Sequence, residues 1–587
     1  MVPGVLESLD VSSVAAYRDR PYEWVIATAR FAVDPANEAN ARIVDLGRVA
    51  RGTDEPVHFE SDVRLLRPTG QSNGKALVVV PNRGTLGGIP FSLGGVMRPG
   101  PTEDPDPGDG FLLDQGWTIA WCGWQWDVLR GRGWIGLEAP YADVEPGWMR
   151  VEFRPDLEQP DHRLSDSSLL FEFRDYPPAD LDDEEARLTV RSSPLGEKRV
   201  VPREAWRFAD TSRVVLDGGF QPFRWYELVY RSAVSPVVGV GLLALRDFSS
   251  WMRESHDSMF SFGVSQSGRF LREFLFDGLN LDESKRRVFD GVFTHIAGAR
   301  RGEFNCRYGQ PSLTHPMMPA YGPPYDLSGL LVTQRMTGGV PNVFSTNSSW
   351  EYWRGDGALV HQHPETGEDL PEDPDARTFL LAGTDHFGAT PIKDFLPVAN
   401  PVHHIDISPV LRALFVQLVE WACEGVEPAG SCVPRLSDGS AVTREDVLAR
   451  FSEVALPDVA HLPVTPEIDP LSTSWPLELG ASKVALVSNV NAGGNEIAGI
   501  ALPAVAAPVA AYTGWNPRIR QAGLPDVLYE FVGSRLPLQS ATAIPDRDEY
   551  ERTALHVAQR LVEGRFLLER DLQRSVAEAM QIYDEQR

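Results

Sequence analysis

The segment Gly263-Val264-Ser265-Gln266-Ser267-Gly268 constrains this chain more than any other. Before it, residues 258–264 read as a short apolar strand. After it, residues 267–277 set Phe270, Leu271, Phe274 and Leu275 on one helical face. A strand must therefore become a helix within a residue or two. A turn that sharp holds its serine in strained backbone geometry and tolerates only small residues two positions to either side. Gly263 and Ser267 satisfy that condition around Ser265. The alternative nucleophile, Ser267, would set Arg269 where a small residue is needed, so Ser265 is the favoured reading. The helix N-terminus behind it offers free N–H groups and a positive dipole end. The Gln266 N–H is then one candidate oxyanion donor.

A serine hydroxyl needs a base, and the base needs an orienting acid. The chain order serine, acid, histidine suits a strand–helix alternation of this kind. An apolar strand at residues 378–382 runs into Gly383-Thr384-Asp385-His386-Phe387-Gly388, which makes His386 the candidate base. The strand at residues 342–346 runs into Asn347-Ser348-Ser349-Trp350-Glu351, which makes Glu351 the candidate acid. Asp356 and Asp385 compete for that role. Asp385 adjoins His386, and adjacent side chains point apart in extended backbone. Asp356 lies later, in a polar turn.

The second oxyanion donor is expected in the turn after strand 76–80, from the N–H of Arg83 or Gly84. Trp124 and Trp126 follow strand 118–123 and could wall an apolar pocket; ordinary aromatic core explains each equally well. His295 ends strand 288–296, facing the pocket or satisfied within the core. Met317 and Tyr321 lie in a long, Pro-rich connection at residues 300–339, which suits an adaptable cap or a rigid surface loop.

The wider pattern is α/β, with a mostly parallel central sheet flanked by helices. Strands are expected at residues 22–33, 41–49 and 57–66, and a helix at residues 110–115. The N-terminal strands and first half of the core span residues 1–145. A β-rich insertion spans residues 146–230, with strands at 149–153, 169–174, 187–190 and 225–230. The second half of the core occupies residues 231–428, with a helix at 409–423. Residues 429–587 form a C-terminal extension that closes on a helix at residues 566–583.

The net charge of −27 excludes a nucleic-acid or anionic-membrane surface, which needs clustered Lys and Arg. The first twenty residues carry neither a basic n-region nor an apolar h-region, so a cytoplasmic location is expected. No apolar run reaches the roughly 18 residues of a membrane span. The four cysteines do not form a disulfide framework; Cys423 and Cys432 could pair, though reduced thiols fit a cytosolic chain better. No metal site is expected: His361 and His363 lack further spaced ligands. No cofactor is implied, and no pattern specifies an oligomeric state.

The chain resembles the bacterial and fungal family of alpha/beta hydrolase domain-containing proteins. The resemblance rests on Gly263 to Arg272, Phe293-Thr294-His295-Ile296-Ala297-Gly298, Glu351-Tyr352-Trp353 and the Ala382 to His386 loop. It extends to Asn495-Glu496-Ile497-Ala498-Gly499-Ile500-Ala501-Leu502-Pro503 and Thr513-Gly514-Trp515-Asn516-Pro517. The elbow is also similar to that of glucuronoyl esterases, which cleave sugar-acid esters with a Ser–Glu–His triad; here Gln266 stands where an arginine usually follows their serine. The resemblance implies an α/β-hydrolase fold and a hydrolase, and little about substrate; the serine–acid–histidine chemistry points to a small-molecule ester or lactone. Thioester cleavage and acyl transfer use the same triad, and a catalytically silent binding protein on this scaffold is the alternative of another class.

Overall fold

The computed structural model describes residues 5–586, except 53–54, 95–103, 132, 166–172, 313–325, 467–479, 520–525 and 540–543. Its frame is a central sheet of β1 (Leu6–Ala16), β2 (Tyr22–Val33), β3 (Val57–Pro68), β4 (Lys75–Val79), β5 (Thr118–Cys122), β6 (Ser258–Val264), β7 (Gly291–His295), β8 (Asn342–Ser348) and β9 (Ala376–Leu381). The order across the sheet is β1-β2-β3-β5-β4-β6-β7-β8-β9. β1, β2, β3 and β5 pair antiparallel, and from β5 onward every neighbouring pair is parallel.

The helices used below are α1 (Val240–Met252), α2 (Gln266–Phe276), α3 (Ser349–Arg354), α4 (Ser408–Glu424), α5 (Arg547–Glu563) and α6 (Leu572–Glu585). Alternate strand residues feed two apolar layers, as the pleat requires. Ala76, Val78 and Val292 join Leu242, Phe248, Phe270 and Phe274 of α1 and α2 on one face. Leu77, Val79 and Phe293 join Leu414 and Phe415 of α4, with Ala554 and Val576 of α5 and α6, on the other. With both faces covered, β5, β7 and β9 are buried along their whole length. The C-terminal ends of β4, β6, β7, β8 and β9 therefore open along one rim, where α/β sheets bind ligands.

The insertion strands build two small sheets of their own, one around Trp225–Ser232 and one around Arg213–Phe220. The extension instead finishes the central sheet. Ile500 N–H donates to Leu380 O (2.7 Å), and Ala382 N–H donates to Ile500 O (3.0 Å). The approach is close enough that a Cβ on Gly499, at φ 91°, would lie 2.7 Å from Leu380 O. Insertion and extension also meet at a buried charge cluster. Arg154 and Arg518 both donate to Glu530, and both guanidinium groups lie over the Phe223 ring.

Several expectations need correction. Residues 41–49 are not a strand: 3-10 turns at Glu38–Asn40 and Leu46–Arg48 replace it, because Asn37 caps the first and Asp45 adopts a left-handed φ of 63°. The helix at 110–115 shrinks to a 3-10 turn, Leu113–Gln115, ended by Gly116 at φ 78°. The final helix begins only at Leu572, since Leu568 is extended (ψ 144°) and a 3-10 turn, Glu569–Asp571, comes first; α5, capped by Asp546, precedes it. β1 and Arg213–Phe220 are further strands without an expectation. The strand at 169–174 falls mostly outside the described residues. All four cysteines are free.

Glu530→Ala would remove the more buried of the two carboxylates that Arg154 and Arg518 share, leaving only the half-exposed Asp156. Stability is expected to fall by about 3 kcal/mol, the scale for breaking a buried pair. A urea midpoint equal to that of the native protein would show that the cluster contributes nothing.

Candidate active site

Ser265 stands at the junction of β6 and α2 with φ 57° and ψ −114°, a conformation few non-glycine residues adopt. Its neighbours hold it there. The Ser265 N–H donates to His295 O (2.8 Å), and the Arg269 N–H donates back to Ser265 O (2.9 Å). A Cβ on Gly263 would lie 2.5 Å from Ser267 O, and one on Gly268 would lie 3.0 Å from Gly263 O. The Ser267 hydroxyl is occupied in closing the turn: it accepts from Val264 N–H and donates to Val264 O, each at 2.9 Å. Ser265 is half-buried at the apex.

Glu351 and His386 come together across the rim. His386 Nδ1 and Glu351 Oε1 are 2.6 Å apart. With Nδ1–H donating to that carboxylate, the free lone pair falls on Nε2. Glu351 is fully buried and its other oxygen is also committed, accepting from Ser348 N–H (2.9 Å) and Ser348 Oγ (2.6 Å). Ser348 ends β8 and Glu351 is the third residue of α3, so the acid completes a capping box at its own helix N-terminus. The spacing Ser348-x-x-Glu351 carries that signal in the sequence.

The rival carboxylates are spent elsewhere. Asp356 accepts from Arg354 Nη2 (2.8 Å) and from the N–H groups of Ala299 and Arg300. Asp385 accepts from Lys393 Nζ (2.8 Å) and from the N–H groups of Gly388 and Gly533.

Residues 242–577, more than half of the chain, match the family described as Alpha/beta hydrolase domain. The chain belongs to that family. No curated protein matches it. Among solved structures, a glucuronoyl esterase from Solibacter usitatus aligns at 11% identity over 64% of this chain and 80% of its own, with a TM-score of 0.25. A promiscuous CE15 esterase from a marine bacterial metagenome aligns at 8% identity over 60% of this chain and 71% of its own, with a TM-score of 0.24.

In this alpha/beta hydrolase domain protein, the turn after β4 adjoins the elbow. Asn82 Nδ2 donates to Val264 O (3.0 Å). Arg83 and Gly84 follow at φ 51° and 77°, and a Cβ on Gly84 would lie 2.7 Å from Val128 Cγ1. Gln266 opens α2, and its side-chain amide donates to Pro311 O. His295 is buried with Nδ1 2.8 Å from Thr346 Oγ1; burial, reinforced by His386, lowers its pKa to about 3, so it stays neutral. Trp126 lines a small cavity with Asp127, Tyr176 and Ser312. Trp124 is a correction. It lies in the core beneath α2, with its ring 4.0 Å from that of Phe270 and its Nε1–H bonded to Pro81 O (2.8 Å). Met317 and Tyr321 lie outside the described residues.

Two features escaped the sequence reading. Arg269, one turn into α2, is brought down to about 9 by burial and by Arg354, Arg83 and Arg300, so the elbow sits in a positive neighbourhood. Phe531, from the extension, lays its ring 4.5 Å from the His386 ring and 4.9 Å from that of Trp350, at a strained φ of 72°. No local pattern announces a contact so distant in sequence.

Ser267→Ala removes both bonds to Val264 but leaves Ser265. Stability should fall by about 1–2 kcal/mol, while a fluorophosphonate should still label position 265. A folded variant that takes no label there would return the nucleophile to position 267.

Proposed function

We propose that this protein is a serine hydrolase that cleaves a carboxylic ester, including a lactone, by two-step acyl transfer. The observation that carries the reading is the 2.6 Å contact between His386 and Glu351 on the rim that also holds the strained Ser265. Family membership supports the same chemistry.

In the first step His386 Nε2 takes the Ser265 hydroxyl proton as Oγ attacks the ester carbonyl. The tetrahedral oxyanion lies against the N–H of Gln266 and that of Arg83 or Gly84. The intermediate collapses, the C–O bond to the alcohol breaks, and His386 returns the proton to the departing oxygen. In the second step His386 takes a proton from water, whose oxygen attacks the acyl-enzyme. The acid leaves and Ser265 regains its proton. Glu351 holds the imidazole in one tautomer and stabilises the imidazolium. The scheme uses only side chains, backbone N–H groups and water.

Treatment with a fluorophosphonate should add one adduct, mapped by peptide sequencing to Ser265 and absent after His386→Ala. Ser265→Ala should abolish ester turnover with folding intact; retained turnover would remove Ser265 from the role. Glu351→Gln should slow turnover by about 10⁴-fold, as expected when the imidazole loses its orienting acid. A larger loss in Asp356→Asn, with the fold preserved, would move the acid there.

A further inference from the structure

The extension places a third carboxylate against the two elements that carry the acid and the base. Glu496 Oε2 accepts from Ser349 Oγ (2.5 Å) and from the Gly383 N–H (2.8 Å). Ser349 is the first residue of α3, two before Glu351. Gly383 follows β9 and lies three residues before His386. We infer that Glu496 is a positioning residue for the triad, a single oxygen that fixes the Glu351 helix to the His386 loop. The inference rests on the serine-hydrolase reading above.

The platform beneath Glu496 is rigid. Asn491 Oδ1 accepts from the N–H groups of Gly493 and Asn495 (2.9 and 3.1 Å). Asn495 Nδ2 donates to Ala510 O (3.0 Å), and its Oδ1 accepts from Tyr512 N–H (3.0 Å). Ile500 is locked into the edge of β9 by its pairing with Leu380 and Ala382. The anchored segment leaves Glu496 little freedom to follow either partner. The α3 N-terminus and the base loop must instead conform to it.

The chemistry of the contact differs from an ordinary structural ion pair. Both partners are neutral donors. Burial pushes the Glu496 carboxyl up to about 7, with the bonds from Ser349 and Gly383 opposing the shift. The titratable groups in the same part of the core include the Tyr352 phenol and its partner His361, the Cys432 thiol beside Gly499, the Glu351–His386 pair, Tyr512 against Gly383, and the Asp385–Lys393 pair on the same loop. Burial holds Tyr352 and Cys432 up and His361 down at about 3, so none of these three changes charge near neutral pH. Glu496 does. Its ionised form accepts both hydrogen bonds more strongly than its protonated form, because charge-assisted bonds are the stronger kind.

The test measures the rate of fluorophosphonate labelling at Ser265, and kcat and KM on p-nitrophenyl acetate across pH. Glu496→Ala should lower labelling and kcat by about 10- to 100-fold, the scale of a displaced catalytic group, with KM nearly unchanged. Glu496→Gln keeps an oxygen able to accept both bonds and should recover most of kcat, while its pH profile loses one ionisation near neutrality. If Glu496→Ala does not fold, Ser349→Ala removes one of the two bonds and should still depress kcat with KM unchanged. Glu496→Ala or Ser349→Ala at the native rate, or a change confined to KM, would overturn the positioning role. A native protein that takes no label at Ser265 would instead fail the serine-hydrolase reading itself.

Discussion

A serine held at φ 57° and ψ −114° costs on the order of 1–3 kcal/mol of backbone strain, and the surrounding structure is arranged to maintain it. β6 lies between β4 and β7, so the elbow grows from the middle of a parallel run rather than from an edge. Both neighbouring strands reach it from their ends. His295 of β7 accepts the Ser265 N–H, and Asn82, just past β4, donates to Val264 O. Two glycines and the locked Ser267 hydroxyl then remove every side chain that would push the turn open. Strain at this point is tolerable because the two apolar layers would have to separate to relieve it.

Glu351 is fixed by a different device. One Glu351 oxygen faces His386, and the other completes the cap of α3. The same carboxylate therefore starts its helix and holds the His386 imidazole, and it cannot rotate without uncapping the helix. Charge sorting isolates the pair. Asp356 lies among Arg354 and Arg300, and Asp385 is matched by Lys393, so these two carboxylates are neutralised by partners of their own. In a chain of net charge −27, the neighbourhood of the elbow is nonetheless rich in arginine. The acidic surplus lies elsewhere, chiefly on the surface.

How far the sequence could be read follows from where the information sits. Buried parallel strands read as continuous apolar runs, and a helix face repeats every three to four residues. The strands and helix flanking Ser265, and those leading to Glu351 and His386, were legible for that reason. Residues 41–49 imitate a strand because their apolar spacing ignores Asp45, whose left-handed backbone ends any extended run. Leu568, extended at ψ 144°, interrupts the expected helix at 566–583 in the same way. Trp124 and Trp126 are two residues apart in similar surroundings, and no periodicity separates the one buried under α2 from the one lining a cavity. Glu496 and Phe531 are harder still: their partners lie more than 100 residues away, and the contact is made by tertiary packing alone.

Those distant contacts define what the extension is. A layer added to a finished catalytic core would attach through surfaces remote from the cleft. Here three extension residues each touch the Glu351 helix or the His386 loop. Glu496 holds Ser349 and Gly383, Phe531 lies against the His386 ring, and Gly533 donates to the carboxylate of Asp385, next to His386. Ile500 meanwhile continues the sheet past β9, the strand that delivers the histidine. The base loop is thus enclosed by the extension on one side and the sheet on the other. Glu530 of the same segment accepts from Arg154 of the insertion, so the extension contacts both the His386 loop and the β-rich region. The elbow is complete within the core, but the His386 loop is held by contacts from the extension as well.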